Sequence, residues 1–163
     1  MTPEAGIELR TEGHQLFEYA ELLGEILGDF PEVGIVLSTS WCRALRRFDD
    51  AKVYLPEVLQ QRVIGATWHS HKPQYQWAGM TRYEQIMEYV CRHGVRHWLA
   101  IDDDVKDWPE RHQHALVQTH SMLGLGDPEV QCDLREKLLR MREAPVDKSD
   151  APKLIHQLPG MCW

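Results

Sequence analysis

His97-Trp98-Leu99-Ala100-Ile101-Asp102-Asp103-Asp104 is the stretch that decides how this chain folds. Apolar and aromatic residues run without a break into a cluster of carboxylates. A short run that is apolar at every position predicts a strand covered on both faces, as in a parallel sheet with helices on either side. The acids at its end cannot be buried without partners, because each desolvated charge costs several kcal/mol. They belong at the mouth of the sheet. In open α/β sheets the carboxyl ends of the strands are where ligands bind.

Immediately upstream, Thr81-Arg82-Tyr83-Glu84 has the spacing of a capping box, with Glu three residues after Thr. Tyr83, Ile86, Met87 and Val90 then mark one face of a helix that stops at Gly94. Further back, Arg62–Ala66 and Val33–Leu37 are apolar runs of strand type, and Ser38-Thr39-Ser40-Trp41 follows the second of them. Residues 14–27 show helical spacing closed by Gly28 and Pro31. Asp49 or Asp50 is expected to cap a short helix through Leu55, broken at Pro56, and Trp68–Gly79 to form a long irregular connection.

Downstream of the acids, Ala115–Thr119 predicts a last strand. Asp127-Pro128 predicts an N-cap with proline at the first helical position, and Val130, Leu134, Leu138 and Met141 form the apolar stripe of the helix that follows. Strands alternating with helices mean a parallel sheet with right-handed crossovers. The expected organisation is a polar N-terminal segment (1–13), one α/β domain (14–141) and a C-terminal tail (142–163).

The bulk properties agree. At 163 residues, 43% hydrophobic and 26% charged, the chain is long and apolar enough for one domain with a real core. A net charge of -7 argues against a broad nucleic-acid surface, while leaving local phosphate binding open. Cys42, Cys91, Cys132 and Cys162 are widely spaced, which favours reduced thiols and a cytoplasmic protein over a disulfide framework. No apolar run is long enough to span a membrane.

Three elements should meet at one edge of the sheet: the hydroxyls of Ser38 and Thr39, the cation of Arg82, and the carboxylates of Asp102 and Asp103. Donors plus a cation suit a phosphate. Carboxylates suit Mg²⁺, a hard cation that keeps waters and bridges to phosphate oxygens. Each also has an ordinary reading: acids in a turn, hydroxyls capping a helix, a solvated surface arginine. His69-Ser70-His71 could pair two imidazoles on a zinc ion, with no third ligand evident from spacing. Trp68, Tyr75 and Trp77 could stack on a base, and read first as apolar cover for the sheet.

This order and spacing resemble the haloacid dehalogenase superfamily of phosphohydrolases. The closer likeness is to the small phosphatase-like domains of some bacterial RNA-repair proteins. Ile35-Val36-Leu37-Ser38-Thr39-Ser40-Trp41 resembles the second motif, Arg82 followed by Ile86 the third, and Trp98-Leu99-Ala100-Ile101-Asp102-Asp103 the fourth. Leu116–His120 with Gly124-Leu125 resembles the closing strand and turn. The resemblance implies a parallel, Rossmann-like sheet flanked by helices and Mg²⁺-dependent phosphomonoester hydrolysis. It places phosphate on Ser38, Thr39 and Arg82 and Mg²⁺ on Asp102 and Asp103. The implied partner is a phosphorylated small molecule or nucleic-acid end.

The family's first motif, an Asp-x-Asp-Gly after an apolar central strand, has no counterpart before residue 33. Gly6-Ile7-Glu8-Leu9-Arg10 alternates instead of being continuously apolar. The expectation is a chain truncated at its N-terminus, without the central strand or the nucleophile, and inactive as a phosphatase. The alternative is a pseudo-phosphatase that binds a phosphate ligand or a protein partner.

Overall fold

The computed structural model describes residues 19–38, 48–69, 73–120 and 122–145. The N-terminal segment 1–13, the start of the helix expected from residue 14, the stretch 39–47 with Thr39, and the tail from 146 lie outside the described residues, as does His71. Helix α1 (Ala20–Leu27) leads to β1 (Ile35–Leu37), then α2 (Phe48–Lys52), α3 (Glu57–Gln60) and β2 (Val63–Ala66). After these come α4 (Gln74–Ala78), α5 (Arg82–His93), β3 (Ala100–Asp102), a 3-10 turn (Glu110–Ala115), β4 (Leu116–Gln118) and α6 (Pro128–Glu143).

The strands form two parallel pairs. β1 lies beside β2, and β3 beside β4. Among the described residues no strand joins the pairs, so the expected parallel sheet is present as two halves. β3 and β4 run in register, with Ala100 opposite Leu116 and Asp102 opposite Gln118. The β1–β2 register slips between Ile35 and Val36, which leaves Ile64 as the extra residue. Ile64 is 66% exposed, as the unpaired residue of a bulge can be. At Gly65 a Cβ would stand 2.8 Å from Tyr89 Oη on α5, so a larger residue there would have to shift the end of that tyrosine.

Side chains alternate across the strands and sort into two apolar layers. Ala100 and Leu116 face α5 and join Tyr83, Met87, Val90 and Trp108. Leu37, Ala66 and Val117 face the other way, into a core with Ile26, Leu27, Leu59, Leu134 and Leu138 from α1, α3 and α6. The arrangement is therefore helix, sheet, helix, as strands apolar at every residue require.

The ends of α5 and α6 follow their caps. Thr81 Oγ1 accepts from Glu84 N at 3.2 Å, Glu84 Oε2 accepts from Thr81 N at 2.7 Å, and Gly94 closes α5 in the left-handed region at φ 62°. Asp127 Oδ1 accepts from Glu129 N at 2.9 Å, with Pro128 opening α6.

Three expectations need correction. The helix expected to run through Leu55 ends at Lys52, with Asp49 and Asp50 inside its first turn, and Pro56 opens α3 instead of only breaking a helix. Proline tolerates that position because its missing N–H would be unpaired there anyway. The connection after Trp68 is not wholly irregular, since α4 forms behind Pro73 for the same reason. The strand at Ala100–Asp102 is not covered on both faces throughout, for Ile101 is 39% exposed. It lines a cavity between β1 and β3.

Candidate phosphate and metal site

Ser38, Arg82 and Asp102 come together although they lie far apart in the sequence. Ser38 follows the last residue of β1, Arg82 is the first residue of α5, and Asp102 ends β3. The guanidinium of Arg82 joins them. Its Nη1 donates to Ser38 Oγ at 3.4 Å, and its Nε lies 2.9 Å from Asp102 Oδ2. That Nε is buried, yet its N–H is not aimed at the carboxylate as a hydrogen bond requires. The ion pair is close but leaves donor capacity unused.

Two further residues hold the site, and the sequence patterns do not single them out. Gln85 Oε1 accepts from Arg82 Nη1 at 3.1 Å, while Gln85 Nε2 donates to the carbonyls of Trp77 and Met80 at 3.3 and 3.2 Å. Gln85 is buried, so its amide is a fixed strut under the arginine. Thr67, buried beyond β2, donates through Oγ1 to Ser38 Oγ at 3.3 Å, and its own N–H donates to Leu37 O at 3.0 Å. The available signal for Gln85 is its spacing, three residues after Arg82 on one helical face. Thr67 has its place just after an apolar strand, like Ser38.

The acids after β3 differ in their surroundings. Asp102 Oδ1 accepts from the Asp104 N–H at 2.9 Å, and its main-chain oxygen accepts from Thr119 N at 3.0 Å. Burial pushes the Asp102 carboxyl above its ordinary range, and the Asp104 amide and Arg82 only partly offset this. Asp103 and Asp104 are exposed and raise it further through their charge. Asp104 Oδ1 accepts from Lys106 N, and Trp108 Nε1 donates to Asp104 O at 3.2 Å, so the acidic turn is tied to the aromatic layer under α5. There Trp108 packs edge-on to Tyr83, whose hydroxyl is 2.8 Å from His112 Nδ1. His112 is thus a histidine with a hydrogen-bond partner in the core.

The donors fit a magnesium ion in kind. Hard carboxylate oxygens from one or two residues, completed by water and phosphate, are its usual shell. Asp102 is a partly buried carboxylate with two acids beside it and the Arg82 guanidinium against Oδ2, so a cation there would have to displace or share that partner. His71 of the expected zinc pair lies outside the described residues, and among the described residues no group of three or more His, Cys, Asp or Glu side chains, the acids after β3 included, is placed to hold a metal. His69 Nε2 instead lies 3.7 Å from Glu88 Oε1.

Parallel strands between helical layers, with an arginine and a carboxylate at their carboxyl ends, fit a haloacid-dehalogenase-like α/β domain. The comparison with known families makes this specific. Residues 2–130 match the HAD domain in Swiss Army Knife RNA repair proteins, and the chain belongs to that family. No curated protein and no solved structure matches it. Among the described residues no helix is long and apolar enough to cross a membrane.

Proposed function

We propose that this domain binds a phosphomonoester at the carboxyl ends of β1 and β3, on Ser38, Thr39 and Arg82, with Mg²⁺ held by Asp102 and Asp103. The observation that carries the reading is the Arg82 guanidinium, set between Ser38 Oγ and the Asp102 carboxylate and braced from below by Gln85. A phosphate replacing Asp102 on the arginine would gain the donor that is not aligned now. The released carboxylate would then be free for the cation. Mg²⁺ on the acids would supply charge neutralisation for the phosphoryl oxygens. The membership in a family of RNA-repair proteins supports a phosphorylated nucleotide or nucleic-acid end as the ligand.

The chain's own residues account for binding and orientation. Gln85 and Thr67 hold Arg82 and Ser38 in place before the ligand arrives, so little side-chain freedom is lost on binding. In this superfamily an aspartate attacks the phosphorus. The sequence has no Asp-x-Asp-Gly before β1 to provide it. The reading is therefore a phosphate-binding domain without turnover of its own.

Titration of the chain with a short 5′-phosphorylated oligonucleotide in Mg²⁺ tests this. Binding should weaken at least about tenfold in Arg82→Met, the loss of roughly 1.5 kcal/mol or more that a charge-assisted bond represents, and no inorganic phosphate should be released. Equal binding by wild type and Arg82→Met overturns the phosphate site. Phosphate release that Asp102→Asn abolishes overturns the reading as a domain without turnover.

A further inference from the structure

Three aromatic residues lie between β2 and α5, and they part ways in the fold. Trp77 is buried, and Trp68 packs against the larger core, as cover for the sheet should. Tyr75, in the first turn of α4, is 75% exposed, more than any other large apolar side chain among the described residues. We propose that Tyr75 is the stacking platform for the base of a nucleoside 5′-monophosphate whose phosphate lies on Arg82. The inference rests on the phosphate reading and adds to it the subsite that takes the base.

Single exposed aromatics are ordinary on protein surfaces, so exposure alone assigns nothing. The fastening of α4 does. Trp77 follows Tyr75 by two residues, about 200° around the helix, so its burial turns the tyrosine outward. The carbonyls of Trp77 and Met80, at the carboxyl end of α4 and just past it, accept from Gln85 Nε2 at 3.3 and 3.2 Å. Gln85 Oε1 accepts from Arg82 Nη1 at 3.1 Å. One buried amide therefore links the helix that presents Tyr75 to the guanidinium that would hold the phosphate.

The ring is fixed at its root and open at its face. Tyr75 O accepts from Gly79 N at 3.2 Å, and Trp77 N donates to Pro73 O at 3.2 Å, so the backbone on either side is held within α4. Among the described residues the hydrogen-bond neighbour of the side chain is Gln76, whose Nε2 stands 3.5 Å from the tyrosine hydroxyl. That contact is at the rim of the ring and leaves its face clear. A tyrosine has two side-chain torsions to fix, so stacking on it costs little conformational entropy.

Charge sets the size of the ligand. Proteins that track a long single strand line it with a positive groove. At a net charge of -7 this chain has no such excess. One arginine and one aromatic face match one nucleotide, with the phosphate on the cation and the base on the ring. Every base has a π face, so the subsite should prefer a nucleotide over a sugar phosphate without selecting a sequence.

Titrations of the full chain in Mg²⁺ with adenosine 5′-monophosphate and with ribose 5-phosphate test this. Wild type should bind the nucleotide at least about fivefold more tightly, the low end of what one stacked base contributes. Tyr75→Ala should erase that preference and leave the affinity for ribose 5-phosphate unchanged, while Tyr75→Phe keeps both. An unchanged urea midpoint verifies that each variant folds, as so exposed a position allows. Equal affinity of wild type for the two ligands, or a preference that survives Tyr75→Ala, overturns the stacking subsite and leaves the phosphate site standing. A parallel loss of both ligands in Tyr75→Ala means that the tyrosine acts through Arg82, and overturns the subsite as well. Binding of neither ligand by wild type overturns the phosphate reading and the subsite with it.

Discussion

Arg62 and Arg82 stand at opposite ends of the strands, and their partners differ in kind. Arg62 precedes β2 and, among the described residues, its hydrogen bonds go to main-chain carbonyls: Leu27 at 2.9 Å, Phe30 at 2.8 Å and Val33 at 3.2 Å. Those oxygens belong to the end of α1 and the turn into β1. They cannot rotate away, and those of Leu27 and Phe30 also accept from the main-chain N–H groups of Phe30 and Val33. Arg82 is held by the side chains of Ser38, Gln85 and Asp102, and its Nε is not aligned with any of them. Partners that can turn can be exchanged for a ligand, and carbonyls fixed in a fold cannot. Both arginines are at least partly buried and well contacted. What separates a structural cation from a candidate binding cation here is the mobility of what it touches.

The largest effect should come from Arg62. Arg62→Met leaves the carbonyls of Leu27, Phe30 and Val33 without their cation. The expected loss is about 3 kcal/mol, from bonds to a charged group at roughly 1.5–3 kcal/mol each that partly re-form with water. Urea unfolding measures it, and the folded fraction should bind the phosphorylated oligonucleotide as tightly as wild type. A loss near zero would mean that water replaces this arginine freely, and the contrast with Arg82 would fail.

A smaller effect with a definite sign is expected at Asp102. Burial, its largest influence, raises this carboxyl above the ordinary value of 3.8. The folded state then holds the proton more tightly than the unfolded chain. Stability falls as pH rises through the window from the ordinary value to the raised one, and it is flat above that window. Asp102→Asn removes the group, so the mutant's urea midpoint should lack this fall while the wild type shows it. The opposite slope would mean that the pairing with Arg82 outweighs burial, and that this ion pair holds the fold together much as the bonds of Arg62 do.

The sequence disclosed these two regions unequally, for a physical reason. Ser38, Arg82 and Asp102 each end or begin an element that local rules announce: an apolar strand, a capping box, an apolar run stopped by acids. Their convergence needed only the rule that parallel strands share one functional edge. Arg62 carries no such mark. Its partners are supplied by a turn some thirty residues earlier, and carbonyls have no sequence signature. The same holds for Thr67 and for Gln85, whose roles depend on what packs beside them. The helices at Glu57–Gln60 and Gln74–Ala78 escape a reading by periodicity, and the short helix expected from Asp49 or Asp50 is misplaced at its end, because each is four or five residues long. So short a helix depends on tertiary packing more than on its own pattern.

A third arginine sharpens the comparison from the weak side. Arg142 donates through Nε to Glu32 Oε1 at 2.7 Å, bonds Asp29 O, and lies 4.3 Å from the centre of the Phe30 ring. It therefore has both a rotatable partner and a fixed one, just before β1. Its hydrogen bond holds the Glu32 carboxyl below the ordinary range, so this pair favours folding above that range and ceases to as pH falls through the lowered value. Both side chains are open to water, where such pairs contribute little and salt screens them. Glu32→Gln should leave the urea midpoint at physiological salt unchanged within error, because the carbonyl of Asp29 and the ring of Phe30 still hold the guanidinium. A clear drop would show that a rotatable carboxylate can anchor an arginine as firmly as main-chain oxygens do. Partner mobility would then no longer distinguish Arg82 from Arg62, and burial would have to.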